Sequence, residues 1–359
     1  MDGFEILSCI VLKLLIMEEN NEFDRLVNQV KPLVKSWTRN RSGFGSFQHY
    51  EELLLHTAFL VIESGIFVSP ESLSNPIFLK QDLLRLFISN YRDFYEKILT
   101  NPNTFQPRTI WALFWALSTA EHQFMFRFTQ FWSNEERLTG HFLSQIMERL
   151  EDFGVHWRQL TEVTQPSLSE MRVYYADTAN ESREAFTGAD FGLIIQARYE
   201  NQPEFFKVAR FQAKKVEGGS AGINLEQVEA LLQHEGIGYF IFYHRFDIKE
   251  WIPAPIVKPA DFYQKQLEEL KINKRKYITD PMNGYEKCWD FASFVTFGLA
   301  DPASEYGVIE SRADDAVSTL MALDISPLKK PSRVMIISIG DNVSIVDWEQ
   351  LLREYMEPI

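Results

Sequence analysis

Cysteine is scarce in this sequence, which contains only Cys9 and Cys288 among 359 residues. Two cysteines so far apart form no CxxC pair and no disulfide framework, so a reducing, cytoplasmic setting is expected. Long apolar runs are also missing: Lys13 interrupts SCIVLKLLIM, and TIWALFWAL covers only 109–117. Because a membrane-spanning helix needs about 20 apolar residues, both segments predict buried helices, and no membrane partner is expected.

Basic side chains are outnumbered, with 36 Lys and Arg against 50 Asp and Glu and a formal net charge of −14. This balance counts against a protein that coats nucleic acid with a broad basic surface. It leaves room for a local basic groove, or for a partner that delivers nucleic acid. The basic run KINKRKY at 271–277 is a candidate for phosphate contacts. The alternative interpretation of this run is a solvated charged loop or helix end.

Several familiar catalytic motifs do not occur. The sequence contains no P-loop, no GxGxxG and no GxSxG motif, and its histidines lack the HExxH spacing. A zinc site of that kind is therefore not expected.

The sequence does have enough apolar material for two domains, with 45% hydrophobic and 14% aromatic residues. Residues 1–130 predict an all-α domain, because apolar residues recur at helical spacing in segments such as EELLLHTAFLVIESG and TIWALFWALSTAEHQF. This domain is expected to act as a sensor, as an oligomerisation surface for a second copy, or as a docking site for a partner protein.

Residues 131–359 predict an α/β domain. SNEERLTGHFLSQIMERLEDF is typical of an amphipathic helix, with Ser133 and Glu136 at capping-box spacing. Strands are predicted for MRVYYA, FGLIIQARY, FFKVARFQAKKV, YFIFYHRF and RVMIISIG. Helices are predicted for NLEQVEALLQHEG, with Asn224 as N-cap and Gly236 as stop, and for VDWEQLLREYM.

FGLIIQARY and FFKVARFQAKKV predict an antiparallel hairpin. With its turn centred at residue 202, paired residues sum to 2 × 202 = 404, which places Asp190 opposite Lys214 and makes Gln212 a diagonal neighbour. Gln212 and Lys214 share one face of the strand. Taken singly, each has an ordinary structural interpretation: a turn or cap for Asp190, a hydrogen-bonded strand residue for Gln212, and an edge-strand lysine for Lys214.

Together, these groups suit a hard divalent cation such as Mg²⁺, which prefers oxygen ligands. Asp190 offers a carboxylate, Gln212 an amide oxygen and Ala213 its carbonyl. Lys214 would orient the attacking water or neutralise phosphate charge. A second carboxylate would come from Glu184 or from Glu136, whose neighbour Glu135 is a further choice. Gln227 is expected on the helix surface, with contact to the site as the alternative.

This pattern resembles the PD-(D/E)xK nuclease superfamily. The matching residues are Glu136 or Glu184, then Asp190, and Gln212-Ala213-Lys214, whose local sequence FQAKK is similar to Mrr-type restriction endonucleases. The resemblance covers about 131–245, and Gly188-Ala189 stands where the pattern has a proline before the aspartate. It implies a restriction-endonuclease-like mixed sheet flanked by helices and a need for Mg²⁺ or Mn²⁺.

The sequence therefore predicts a metal-dependent endonuclease that hydrolyses DNA phosphodiester bonds, as a restriction or anti-phage effector. RNA is not separable from DNA at this level, because hydrolysis of either backbone uses the same groups. The alternative is a nuclease-like fold that no longer cuts and serves as a nucleic-acid or protein interaction module. The net charge and the glutamine at 212 favour that alternative.

Overall fold

The computed structural model describes residues 78–79, 105–106, 108–129, 133–164, 169–177, 189–199, 202–233, 236–245, 254–264, 266, 277–281, 288–321 and 331–356. Most of the predicted all-α domain lies outside these residues, as do Glu184 and nearly all of the basic run 271–277. The all-α domain therefore remains a prediction. Within its range, two-residue strands β1 (Phe78–Leu79) and β2 (Phe105–Gln106) pair antiparallel.

Two long helices precede the main sheet. They are α1 (Arg108–Phe128) and α2 (Glu135–Thr164), and they pack against each other. The predicted helix after residue 130 is confirmed and is longer than expected. The predicted Ser133 cap is wrong, because Asn134 Oδ1 accepts a hydrogen bond from the Arg137 backbone N–H at 3.0 Å. Both residue types are good caps, and the one-residue shift makes Glu135 the first residue of the helix.

The main sheet has eight strands and confirms the mixed α/β architecture. Seven lie in the order β10-β8-β7-β5-β4-β12-β3, and β11 pairs with β5. Their bounds are β3 (Ser169–Asp177), β4 (Phe191–Arg198), β5 (Phe205–Val216), β7 (Gly238–His244), β8 (Ile256–Pro259), β10 (Trp289–Asp290), β11 (Val308–Glu310) and β12 (Arg333–Asp341). The β4–β5 pair is antiparallel, whereas β5–β7 and β4–β12 are parallel.

Smaller elements complete the domain. β6 (Ser220–Asn224) and β9 (Tyr277–Pro281) form a separate two-stranded sheet. The remaining helices are α3 (Leu225–Leu231), α4 (Phe291–Ser293), α5 (Ala313–Met321) and α6 (Trp348–Met356). Helix α4 continues as a π-helical segment over Phe294–Leu299. A 3-10 turn covers Ala260–Tyr263. Asn224 caps α3 as predicted, but the helix ends at Leu231, before the predicted stop at Gly236.

Helices cover both faces of the sheet, which explains why the central strands β4, β5 and β7 are buried along almost their whole length. In β4, Leu193 and Ile195 belong to the core formed with α1 and α2. Ile194, on the opposite face, packs in a second core with residues of α5 and α6. The alternation follows from the two-residue period of a strand.

Helix α1 belongs to the same core as the sheet. Its Phe124 ring lies 5.2 Å from the ring of Tyr243 on β7 and 5.0 Å from that of Phe142 on α2. The predicted domain boundary near residue 130 thus falls between two helices that share one core. The division of the chain into 1–130 and 131–359 remains a prediction.

The hairpin register differs from the predicted one by two residues. Phe191 pairs with Phe211, so paired residues sum to 191 + 211 = 402 and Asp190 lies opposite Gln212. The predicted pairing of Asp190 with Lys214 is therefore wrong. The turn lies between Arg198 and Phe205 and is centred one residue earlier than predicted. A displacement of the turn by one residue changes the sum of the paired residue numbers by two. Because the pairing shifts by an even number of residues, each side chain stays on the predicted face of the hairpin.

Candidate active-site cleft

A cleft of about 820 Å³ opens where β4 and β12 begin. The start of α2, the second half of β5 and α3 also contribute to its walls. Its lining residues are Asn134, Glu135, Glu136, Asp190, Gln212, Lys215, Glu217, Ser220, Gly222, Gln227, Thr279, Ser332 and Arg333. The strand order therefore brings Asp190 and Gln212 to the same cleft, as the sequence predicts.

Asp190 immediately precedes β4 and is fixed through its backbone. Its N–H donates to the carbonyl of Phe211 at 2.8 Å, and its own carbonyl accepts from Ser332 Oγ at 2.6 Å. Its carboxylate Oδ2 accepts from Gln212 Nε2 and from the Ala213 backbone N–H, both at 2.6 Å. Burial nevertheless raises the pKa of Asp190 to about 6, while the Ala213 hydrogen bond and the charge of Lys214 oppose that rise.

Gln212 is 3% exposed and has an unbalanced set of hydrogen bonds. Its Nε2 donates to Asp190 Oδ2 at 2.6 Å and makes a longer contact of 3.4 Å with the Ala213 carbonyl. Its Oε1 is buried and receives no hydrogen bond within the described residues. A buried carbonyl oxygen without a donor is costly, so a ligand that satisfies Oε1 would stabilise this arrangement.

Lys214 finds its partner on α2 and not on the hairpin. Its Nζ lies 3.7 Å from Glu135 Oε2, and the lysine is 7% exposed. Glu135 Oε1 also accepts from the Lys215 backbone N–H at 3.0 Å, which ties the first turn of α2 to β5. A lysine on a buried strand is costly without an anion nearby, and Glu135 supplies that anion.

The three glutamates proposed for the second carboxylate differ in their placement. Glu135 lies beside Lys214, and its charge contributes to the raised pKa of Asp190. Glu136 lines the same cleft, but its Oε1 lies 3.3 Å from Arg333 Nη2. Glu184 is outside the described residues. The structure thus favours Glu135 as the carboxylate next to Asp190, and the metal role predicted for Glu136 remains a prediction.

The donor set suits one partly hydrated divalent cation. No group of three or more His, Cys, Asp or Glu side chains in the described part of the chain is arranged to hold a metal ion. Two carboxylates, an amide oxygen and a backbone carbonyl remain, and Mg²⁺ commonly binds through few protein ligands while keeping several waters. Gln212 faces Asp190 with Nε2 and not with Oε1, so a cation shared by the two side chains would require a half-turn of the amide. That turn would replace the hydrogen bond to Asp190 with an oxygen donor for the cation.

Three further residues belong to the cleft. Gln227 on α3 lines it, and its Oε1 is also buried without a hydrogen bond within the described residues. Ser332 and Arg333 precede and begin β12. The sequence predicted their strand but not its parallel pairing with β4, which joins residues more than a hundred positions apart. The only available signal was an arginine at the start of an apolar strand.

Helix length and composition give no membrane-spanning candidate, because no helix in the described ranges is both long and apolar enough. Comparisons with protein-family models, with curated proteins and with solved structures found no match to this chain.

Proposed function

We propose that this protein is a metal-dependent endonuclease that hydrolyses DNA phosphodiester bonds, with a PD-(D/E)xK-type fold and a role in restriction or anti-phage defence. The observation that carries the proposal is that Asp190, Gln212 and Glu135 line one cleft, and that Lys214, which is not part of the lining, pairs with Glu135. An acid, an amide and an amine therefore lie close together at one end of the β4–β5 hairpin. Such clusters of buried polar groups are typical of functional sites.

Each residue has a distinct role in the proposed reaction. Asp190 and Gln212 would hold a divalent cation, with Glu135 and the Ala213 carbonyl as further oxygen donors. When bound, Mg²⁺ or Mn²⁺ would lower the pKa of a water and offset charge on the phosphate. Lys214 Nζ, held by Glu135, would orient the attacking water and stabilise its hydroxide form.

The charges of the cleft support cation binding as the first step. Its described lining contains four carboxylates, those of Glu135, Glu136, Asp190 and Glu217, against the two cations Lys215 and Arg333. A bare phosphodiester would be repelled by this excess of negative charge. Uptake of a divalent cation would reverse the local field, which reconciles an acidic protein with a polyanionic substrate.

The second candidate function is a nuclease-like interaction module without activity. The hydrogen bond from Gln212 Nε2 to Asp190 favours it, because that contact occupies the carboxylate oxygen with an amide N–H. In this case the cleft would bind a nucleic acid or a protein without hydrolysis.

The direct test is cleavage of supercoiled plasmid, linear duplex and single-stranded RNA with Mg²⁺, Mn²⁺ or EDTA. We would compare the wild type with Asp190→Asn and with Asp315→Asn, which removes the same charge from an exposed position on α5. Cleavage that needs metal, is lost in Asp190→Asn and persists in Asp315→Asn is expected. Metal-dependent cleavage that survives Asp190→Asn would refute the site. Specific nucleic-acid binding without cleavage would favour the interaction module.

A further inference from the structure

Arg333 lines the same cleft but has no part in the chemistry proposed above. It begins β12, where the parallel pairing with β4 places Val334 beside Gly192. The preceding residue, Ser332, donates a hydrogen bond from Oγ to the carbonyl of Asp190 at 2.6 Å. The backbone of Arg333 is therefore fixed next to that of Asp190.

The guanidinium of Arg333 is partly satisfied. Its side chain is only 11% exposed, and Nη2 lies 3.3 Å from Glu136 Oε1. The guanidinium also acts on the Tyr175 hydroxyl of β3 through its charge and a side-chain hydrogen bond, and Nη1 is buried without an acceptor at hydrogen-bonding distance in the described residues. Arg333 lines the cleft as a residue, but Nη1 itself is shielded, so a ligand in the cleft would meet the exposed part of the guanidinium.

We propose that Arg333 binds a phosphate oxygen of the substrate with its guanidinium, and that Glu136 positions it by holding Nη2. This inference rests on the proposed function, since it assigns a substrate contact to the same cleft. Arginine suits the task because its planar fork matches phosphate geometry and stays charged at all relevant pH values.

Glu136 has a different role in this proposal from the one its sequence position suggests. Its carboxylate would act on Arg333 and not on the metal, which leaves Glu135 as the second carboxylate near Asp190. Arg333 would then provide positive charge in a cleft wall dominated by carboxylates. Glu136 is a positioning residue, because it would reach the substrate only through Arg333.

The competing explanation is purely structural: the Glu136–Arg333 pair would tie α2 to β12 and contact no substrate. The two explanations differ in measurable ways. A phosphate contact contributes to the salt dependence of duplex binding by about one unit of the slope of log K against log salt concentration. A structural tie contributes to thermal stability but not to that slope.

The test measures duplex affinity in Ca²⁺ and single-turnover cleavage in Mg²⁺ for the wild type, Arg333→Gln, Arg333→Lys and Glu136→Gln. The matched control is Arg353→Gln, which breaks an exposed Arg–Glu pair on α6 outside the cleft. We expect Arg333→Gln to reduce the cleavage rate about 100-fold and the salt slope by about 0.9. Arg333→Lys should cleave faster than Arg333→Gln but more slowly than the wild type. Glu136→Gln should reduce the cleavage rate about tenfold.

The result that overturns the inference is a cleavage rate and a salt slope for Arg333→Gln equal to those of Arg353→Gln. If the wild type does not cut, the proposed function fails, and the affinity comparison in Ca²⁺ alone decides the role of Arg333. If Arg333→Gln does not fold, Arg333→Lys takes its place, because it keeps the charge beside Glu136 but not the fork. An unchanged rate and affinity in Arg333→Lys would then refute the contact.

Discussion

The two ends of the β4–β5 hairpin each contain a glutamine, a carboxylate and a buried lysine, but they use them differently. We call the end near the turn, with Gln196, Glu204 and Lys207, the turn end. The end at the cleft, with Asp190, Gln212, Lys214 and Glu135, is the cleft end. At the turn end every one of these polar groups is hydrogen-bonded, whereas the cleft end leaves Gln212 Oε1 without a donor in the described structure.

Gln196 at the turn end is fully bonded. Its Oε1 accepts from Ser338 Oγ at 2.6 Å, and its Nε2 donates to Glu204 Oε1 and to the Ser344 carbonyl, both at 3.0 Å. The Glu204 carboxylate also accepts from the Ser344 backbone N–H at 2.8 Å. A network with all partners present rigidifies a fold. The contrast supports the proposal that the cleft end receives a ligand, whereas the turn end has the complete hydrogen bonding of a structural network.

Substitution of the two lysines should give the largest difference between the cleft end and the turn end in cleavage rate and melting temperature. We expect Lys214→Met to reduce single-turnover cleavage by about 10³-fold, with little change in melting temperature. Lys207 donates from Nζ to the carbonyls of Ser304 and Tyr306 at 2.5 and 2.7 Å. Lys207→Met should therefore lower the melting temperature while its folded fraction cuts normally. Paired kinetics and calorimetry would check this, and equal effects on cleavage would contradict the comparison.

The glutamines should show the reverse order in stability. We expect Gln196→Leu to reduce the free energy of unfolding by about 3 kcal/mol, because Ser338, Glu204 and Ser344 lose a shared partner. Gln212→Leu should cost about 1 kcal/mol or less, since Asp190 Oδ2 keeps the Ala213 hydrogen bond. Denaturant unfolding of both variants measures the difference. A larger loss in Gln212→Leu would make the cleft end the structural one.

The raised pKa of Asp190 predicts a pH dependence of stability. Burial raises that pKa from 3.8 to about 6, so the folded state binds the extra proton between these values. The stabilisation is fully present below pH 3.8 and is lost as the pH rises through about 6. We expect unfolding free energies to show this loss, of the order of 3 kcal/mol, in the wild type but not in Asp190→Asn. Identical profiles for the two proteins would contradict the shift.

A smaller effect, on the Mg²⁺ concentration that cleavage requires, would test the proposed role of Gln212 in metal binding. Gln212→Glu adds a carboxylate next to Asp190, which should strengthen binding of a divalent cation. We expect the Mg²⁺ concentration for half-maximal cleavage to fall about tenfold, equivalent to about 1.4 kcal/mol. The control is Gln196→Glu at the turn end, which should leave the midpoint unchanged. A midpoint that moves equally in both variants would mean that overall charge, and not the site, governs metal use.

Local patterns predicted much of the fold. The apolar runs of β4, β5, β7 and β12 mark strands because their residue types and bounding turns act over a few positions. Asn224 was identifiable as a cap for the same reason. The hairpin register could not be identified from local patterns, because an error of one residue in the turn centre moves the strand pairing by two residues.

The site was predictable only in its central residues. Asp190, Gln212 and Lys214 lie on one hairpin, so a local argument brought Asp190 and Gln212 together even with the wrong register. The choice between Glu135 and Glu136 depends on how α2 is oriented against the sheet, which directs Glu135 to Lys214 and Glu136 to Arg333. Arg333 joins the cleft through a parallel strand pairing that no local pattern encodes.

The most direct measurement of the central claim is Mn²⁺ binding by electron paramagnetic resonance, with Asp190→Asn and Gln196→Leu beside the wild type. The account predicts one Mn²⁺ per chain in the wild type, weakened by at least about tenfold in Asp190→Asn and retained in Gln196→Leu. Mn²⁺ binding that is equal in the wild type and Asp190→Asn, or absent from the wild type, would contradict a cation site at the cleft end.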